Sequence, residues 1–165
     1  FINFARPREA NTHVTTIEEV INKNISFLEP RLLETGAKIG VEYAPDLPPI
    51  FADEAMLYQA LLNIFMNALQ ANEEGAIIHV TVSSGNGNIM IFVDDNGPGV
   101  AQDVLDRVWD PFFTTKEKGT GLGLGIVKNI IEAHNGEIHI YNLEGQGARV
   151  EIILPAAQGS MNPAP

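Results

Sequence analysis

Ile89-Met-Ile-Phe-Val-Asp-Asp-Asn-Gly-Pro-Gly-Val100 joins an apolar run directly to two acids and a glycine turn. The run from Ile89 to Val93 is apolar throughout, so it reads as a central strand. Before it, Ala76 to Ser83 alternates Ile78, Val80 and Val82 with His79 and Thr81, and Gly85-Asn86-Gly87 is a turn. The two segments form a hairpin. The second strand carries Asp94 and Asp95 to Gly97 and Gly99, and a further glycine cluster follows at Gly119, Gly121, Gly123 and Gly125. Six of the chain's 15 glycines crowd into these two places, which suggests that something approaches the backbone closely there.

Upstream, Phe1 to Pro7 reads as the last turn of a helix stopped by Pro7, followed by a polar connector through His13. Thr15 with Glu18, or Thr16 with Glu19, can form a capping box for a helix. Ile17, Val20, Ile21, Ile25, Leu28 and Leu32 recur at helical spacing to about Leu33, with a kink or break expected near Pro30. After Gly36, Lys38 to Tyr43 reads as a strand, and Pro45, Pro48 and Pro49 make a turn. Asp53 is a good N-cap for a helix to about Asn72, apolar on most sides and therefore mostly buried. Asn63 and Asn67 lie one turn apart on it, so two amides face the same way from a largely apolar element and each needs a partner.

Downstream, a short helix is expected near Asp103 to Val108. A helix from Gly123 to His134 turns Ile126, Ile130 and Ile131 inward and is capped by Asn135-Gly136; strands at Glu137 to Tyr141 and Ala148 to Leu154 follow. Residues 160–165 read as a loose tail. The order lacks the strict alternation of a doubly wound parallel sheet, which makes the fold class α+β, a two-layer α/β sandwich.

At 165 residues and 17.9 kDa, one domain can bury roughly 70% of the surface its unfolded chain exposes. A hydrophobic content of 45% and a charged content of 19% are those of a globular protein, and no apolar run reaches the length of a membrane span. With neither an initiator Met nor a signal-peptide pattern, Phe1 reads as an internal cut in a longer protein. A net charge of −11 argues against nucleic acid as a partner. A small phosphorylated ligand would need a divalent cation or a ring of backbone N–H donors to offset that field. Without cysteine there are no disulfides or thiolate metal sites.

Two phosphate motifs fail on inspection. No glycine of the clusters is followed by Lys as a Walker A loop requires, and counting from Gly119, Gly121 or Gly123 the third glycine of a dinucleotide fingerprint is replaced by Leu124, Ile126 or Lys128. What remains is a glycine loop running into a helix N-terminus, where unpaired N–H groups favour an anion. A loop that needs glycine only for its turns is the competing reading. Asp95-Asn-Gly-Pro-Gly99 is similarly open: it is good turn chemistry, and a carboxylate held there can also accept from the exocyclic amino group of adenine, while guanine would be refused. The Asn67 amide oxygen suits magnesium, which keeps several waters and takes few protein ligands.

Taken together, these segments resemble the ATP-binding domain of sensor histidine kinases, in the superfamily that includes gyrase, Hsp90 and MutL. Gln59-Ala-Leu-Leu-Asn63-Ile-Phe-Met-Asn67-Ala is similar to the asparagine box and Asp95-x-Gly97-x-Gly99 to the first glycine box. Asp110-Pro-Phe112-Phe113 resembles the phenylalanine box, Gly119-Thr-Gly-Leu-Gly-Leu-Gly125 the second glycine box and Gly145-Gln-Gly147 the last glycine pair. All five stand in the family's order, with the short phenylalanine-to-glycine connection of nitrogen-regulation-type kinases.

The resemblance implies the Bergerat form of the sandwich, a mixed sheet of about five strands on about three helices. It divides the chain into the tail of a dimerisation helix domain with its connector (1–13), an ATP-binding catalytic domain (14–157) and a tail (158–165). ATP and Mg²⁺ are the implied cofactors. Asn67 would bind the metal and Asn63 would lie beside the phosphates; Asp95 would read adenine while Gly97 and Gly99 admit the base. The loop of Gly119, Thr120, Gly121, Leu122, Gly123 and Leu124 would wrap the phosphates, with Thr115 and Lys116 before it, Lys116 as a phosphate contact, and Phe112 or Phe113 as anchors.

The implied reaction transfers the γ-phosphate to a histidine on the dimerisation domain, for relay to a response regulator. The implied setting is a cytoplasmic domain of a homodimeric parent; membrane anchoring of that parent, and whether this piece is a monomer or dimerises, are left open by the sequence. A gyrase-type hydrolase places a water-activating Glu where this chain has Asn63, so hydrolysis should be slow; a module that senses ATP without chemistry is the alternative from another class, and a Ser/Thr kinase of the anti-sigma type a third. Gln70 and Ala148 depart from a basic residue and a hydroxyl frequent in the family. His13, His79, His134 and His139 match no phosphoacceptor helix and read as surface or cap residues.

Overall fold

The computed structural model describes residues 9–72, 74–110 and 123–157. In chain order the elements are β1 (His13–Thr15), α1 (Ile17–Thr35), β2 (Lys38–Tyr43), β3 (Ile50–Ala52), α2 (Glu54–Ala71), β4 (Ile77–Gly85) and β5 (Asn88–Asp95). Then come α3 (Gln102–Leu105), α4 (Gly123–Ala133), β6 (Glu137–Asn142) and β7 (Ala148–Pro155). Five strands form one sheet in the order β2-β4-β5-β7-β6, so the apolar strand Ile89 to Val93 is central as its composition requires. Only β2 and β4 pair in parallel, which makes the sheet mixed.

The β4–β5 hairpin closes through Asn86 and Gly87, both with positive φ, the two-residue turn whose twist matches the strands. Alternation then settles which side of the sheet is dry. Ile78, Val80, Val82, Ile89, Ile91, Val93, Ile152 and Leu154 are buried against helices, and the other face carries His79, Asp94 and Arg149. The helical layer supplies Ile17, Val20 and Ile21 from α1, Leu57, Leu61, Ile64 and Phe65 from α2, and Val127 and Ile131 from α4. This is the expected two-layer α+β sandwich.

Local chemistry explains the helix ends. Thr16 is the N-cap of α1 and accepts from the Glu19 N–H, so of the two candidate boxes it is the second that caps; the Glu19 carboxylate accepts from the Thr15 hydroxyl instead of turning back to the cap. Of the kink or break expected near Pro30, the break does not occur: α1 continues through Pro30 to Thr35. Pro30 and Ser26 are both on the exposed side of the helix, where water can serve the Ser26 carbonyl that Pro30 leaves without a donor. Asp53 caps α2 as expected: its Oδ1 accepts from Met56 N–H and its Oδ2 from Asn11 N–H.

One feature was not expected from sequence. β1 pairs antiparallel with β3 in a separate two-stranded sheet, Val14 opposite Phe51, where a polar connector and a proline turn were anticipated. Three residues are too few to show an alternating pattern. Among the described residues no helix is long and apolar enough to cross a membrane.

Candidate functional site

β5 separates its two terminal acids. Because neighbours on a strand point to opposite faces, Asp94 lies on the open face and Asp95 turns toward the helical layer. On the open side, Arg149 makes a bidentate pair with Asp94, 2.7 Å from Nε to Oδ1 and 2.8 Å from Nη2 to Oδ2, and stacks 4.4 Å from the Phe92 ring centroid. Hydrogen bonding to Asp94 raises the Arg149 pKa above its ordinary value, so this cation is permanent. The pair bolts β5 to β7 beside the site.

On the helical side, Asp95 Oδ1 accepts from two backbone groups, Gly97 N–H at 2.9 Å and Ala148 N–H at 3.3 Å. Oδ2 takes no hydrogen bond among the described residues, so one oxygen is held and the other is presented. Ala148 is where the family often has a hydroxyl residue; here the main chain of that same residue braces the acid. The close approach rests on Gly147, with φ of +100°, where any Cβ would run into the Asp95 carbonyl oxygen.

The first glycine turn meets the end of α2. A Cβ on Gly97 would lie 2.8 Å from the Ala71 Cβ, so the missing side chain there serves the protein's own packing. Asn63, Asn67 and Ala71 follow one another at intervals of four residues, so the amides share the side of α2 that reaches the glycine turn. Both amides are half-buried, and Asn67 has a polar partner within the protein. Gly123 and Leu124 begin α4, which packs on α2, and a Cβ at Gly123 would meet open space. Asp95, Gly97, Gly99, Asn63, Asn67, Gly123 and Leu124 are thus distributed over one end of the sheet and the two helices above it. Phe112, Phe113, Thr115, Lys116, Gly119, Thr120, Gly121 and Leu122 lie outside the described residues.

Among the described residues no group of three or more His, Asp or Glu could hold a metal. A cation bound together with a phosphorylated ligand could instead use a neutral amide, such as that of Asn67, with phosphate oxygens and water supplying the rest. That donor set fits Mg²⁺.

His13, His79 and His139 are exposed, as expected of surface histidines. His134 is buried: its Nε2 accepts from the Asp53 N–H at 3.0 Å and its Nδ1 donates to the Ile130 carbonyl at 2.8 Å, tying the end of α4 to the start of α2. Sequence reasoning also passed over Asn142 and Gln146, whose amides bind the backbone of Val100 and Asn96. The available signal was their position, Gln146 between the last two glycines and Asn142 three residues before them.

Comparison with known proteins agrees with this geometry. Residues 52–158 match the family described as histidine kinase-, DNA gyrase B- and HSP90-like ATPase. The sensor histidine kinase ZraS of Escherichia coli K12 is 34% identical over 154 residues, covering 93% of this chain and 33% of that protein. Sporulation kinase E of Bacillus subtilis is 32% identical over 161 residues, covering 97% of this chain and 22% of its own length. The chain therefore spans a third or less of these relatives. Among solved structures, the catalytic domain of histidine kinase ThkA superposes with a TM-score of 0.82 at 27% identity, covering 88% of this chain and 96% of that one. Full-length ShkA in complex with AMPPNP superposes with a TM-score of 0.84 at 34% identity, over 94% of this chain and 34% of that one.

Proposed function

The chain belongs to the histidine kinase-, DNA gyrase B- and HSP90-like ATPase family, as the ATPase domain of a sensor histidine kinase, and from that premise we propose that it binds Mg-ATP and donates the γ-phosphate to a histidine on a dimerisation helix domain. A response regulator aspartate would then receive the group. The observation that carries this reading is the half-committed Asp95 carboxylate: Oδ1 is pinned by two main-chain donors, and Oδ2 is left at the strand end to accept from the adenine amino group. Guanine offers a carbonyl at that place, and two acceptors repel.

The remaining residues serve the phosphate end. Asn67 would hold Mg²⁺, which when bound supplies charge neutralisation between phosphate oxygens. Asn63 lies one turn earlier, beside the phosphates, and its amide cannot act as a base; this disfavours water activation and hence the hydrolase reading. Gly123 and Leu124 open α4, where unpaired N–H groups and the helix dipole favour the polyphosphate. Thr115, Lys116, Phe113 and Gly119 to Leu122 lie outside the described residues; by the family resemblance they would serve the phosphates, with Phe113 as an anchor. Catalysis in such a site is positioning and electrostatic stabilisation, since the acceptor is carried by another domain.

The test combines the domain, γ-labelled ATP and a separately produced dimerisation domain carrying the histidine. Acid-labile label on that histidine is the expected result. Tight ATP binding without transfer would replace the kinase by a nucleotide-sensing module, and label that survives acid would indicate a hydroxyl acceptor.

A further inference from the structure

We propose that Asn142 is a positioning residue for nucleotide recognition: its one amide clamps both backbone groups of Val100 and so holds the Gly97–Val100 turn in the shape that presents Asp95 to the base. The Val100 N–H donates to Asn142 Oδ1 at 2.7 Å, and Asn142 Nδ2 donates to the Val100 carbonyl at 2.7 Å. Each end of the amide is turned to Val100, so the assigned role of Asn142 is exerted through the turn. It occupies the space that Gly99 leaves open, where a Cβ would lie 2.8 Å from Asn142 Oδ1.

The position in the sheet gives the clamp its leverage. Asn142 is the last residue of β6 and stands in register opposite Ala148, the first of β7, whose N–H braces Asp95 Oδ1. A single rung of the β6–β7 hairpin thus grips the glycine turn at both ends, Asp95 through Ala148 and Val100 through Asn142. Gln146, in the same hairpin loop, adds a bond from its Nε2 to the Asn96 carbonyl at 2.9 Å. Asn142 is exposed, so its hydrogen bonds do not exist to rescue a buried amide. Their effect is to restrict a turn containing Gly97 and Gly99, whose backbone freedom would otherwise be lost on binding.

This inference rests on the nucleotide-binding reading, and one experiment separates the two. ADP without magnesium and ATP with magnesium are titrated into the 165-residue chain and into Asn142→Ala and Asn142→Asp, with thermal melting and amide exchange at Val100 followed in parallel. Asn142→Ala is expected to weaken both nucleotides by the same factor of about ten, to speed Val100 exchange and to leave melting nearly unchanged. Asn142→Asp keeps the acceptor but sets a carboxylate oxygen against the Val100 carbonyl, so it should bind no better than the alanine variant.

In the double variant with Asp95→Asn, the losses should add to less than their sum, because both act on one base contact. Wild-type affinity in either single variant, or a lowered melting temperature with unaltered affinity, would overturn the positioning role alone. A wild-type chain that binds neither nucleotide would overturn the underlying reading as well.

Discussion

Replacing Asp95 by Asn tests the assigned role of this acid with little change of shape. Asn keeps an oxygen where Oδ1 accepts from Gly97 and Ala148, so the turn survives. At the other position an acceptor becomes an NH₂ donor, facing the donor of adenine. A hydrogen bond to a charged group contributes about 1.5–3 kcal/mol, and two opposed donors erase it. The expected loss of ATP affinity is therefore about 2–3 kcal/mol, or roughly 30- to 150-fold. The same NH₂ suits the guanine carbonyl, so the preference for ATP over GTP should narrow or invert.

Stability supplies the control for that result. Asp95→Asn retains both main-chain bonds and should cost at most about 1 kcal/mol, a melting shift of about 2–4 °C for a domain of this size. Asp95→Ala deletes both bonds and should cost about 2 kcal/mol, doubling the shift. Calorimetric titration with ATP and GTP, alongside thermal melts, reads every quantity. If Asp95→Asn binds ATP as wild type does, or melts as low as the alanine variant, then the acid is a turn-former and does not read the base.

Asn67→Ala should remove the magnesium-dependent part of ATP affinity while leaving ADP binding without metal within about twofold; an unchanged magnesium response would refute the metal role. Gly147→Ala sets a Cβ against the Asp95 carbonyl at a φ of +100° and should destabilise by about 3 kcal/mol or more, read by denaturant unfolding; a shift under about 1 kcal/mol would show that the hairpin can move away. Burial, then the Glu18 charge, raises the Tyr43 pKa above 10.0, so folding stability should be intact below pH 10 and fall as pH climbs through the folded-state value. Tyr43→Phe should flatten that alkaline decline in melts recorded from pH 8 to 11.

Elements with long periodic signals were legible before any coordinates. The Asp53 cap, the α2 helix, the hairpin turn within Gly85-Asn86-Gly87 and the central place of β5 all follow from side-chain period and local turn chemistry. The same reasoning left a break open at Pro30, because it cannot tell that the proline falls on the exposed side of the helix. It was blind to the β1–β3 pair, whose three-residue strands are joined only by contacts between distant segments.

The sequence alone thus determined the layer architecture, the helix carrying two amides and the glycine turn beside an acid, since these depend on neighbours in the chain. Tertiary structure alone decided which oxygen of Asp95 is held and which is presented. It decided likewise that Asp94, the adjacent residue, serves Arg149 on the opposite face, and that Asn142 reaches back 42 residues to grip Val100. Those outcomes depend on strand alternation combined with the register between β5, β7 and β6, and register is a property of paired strands that no single stretch contains.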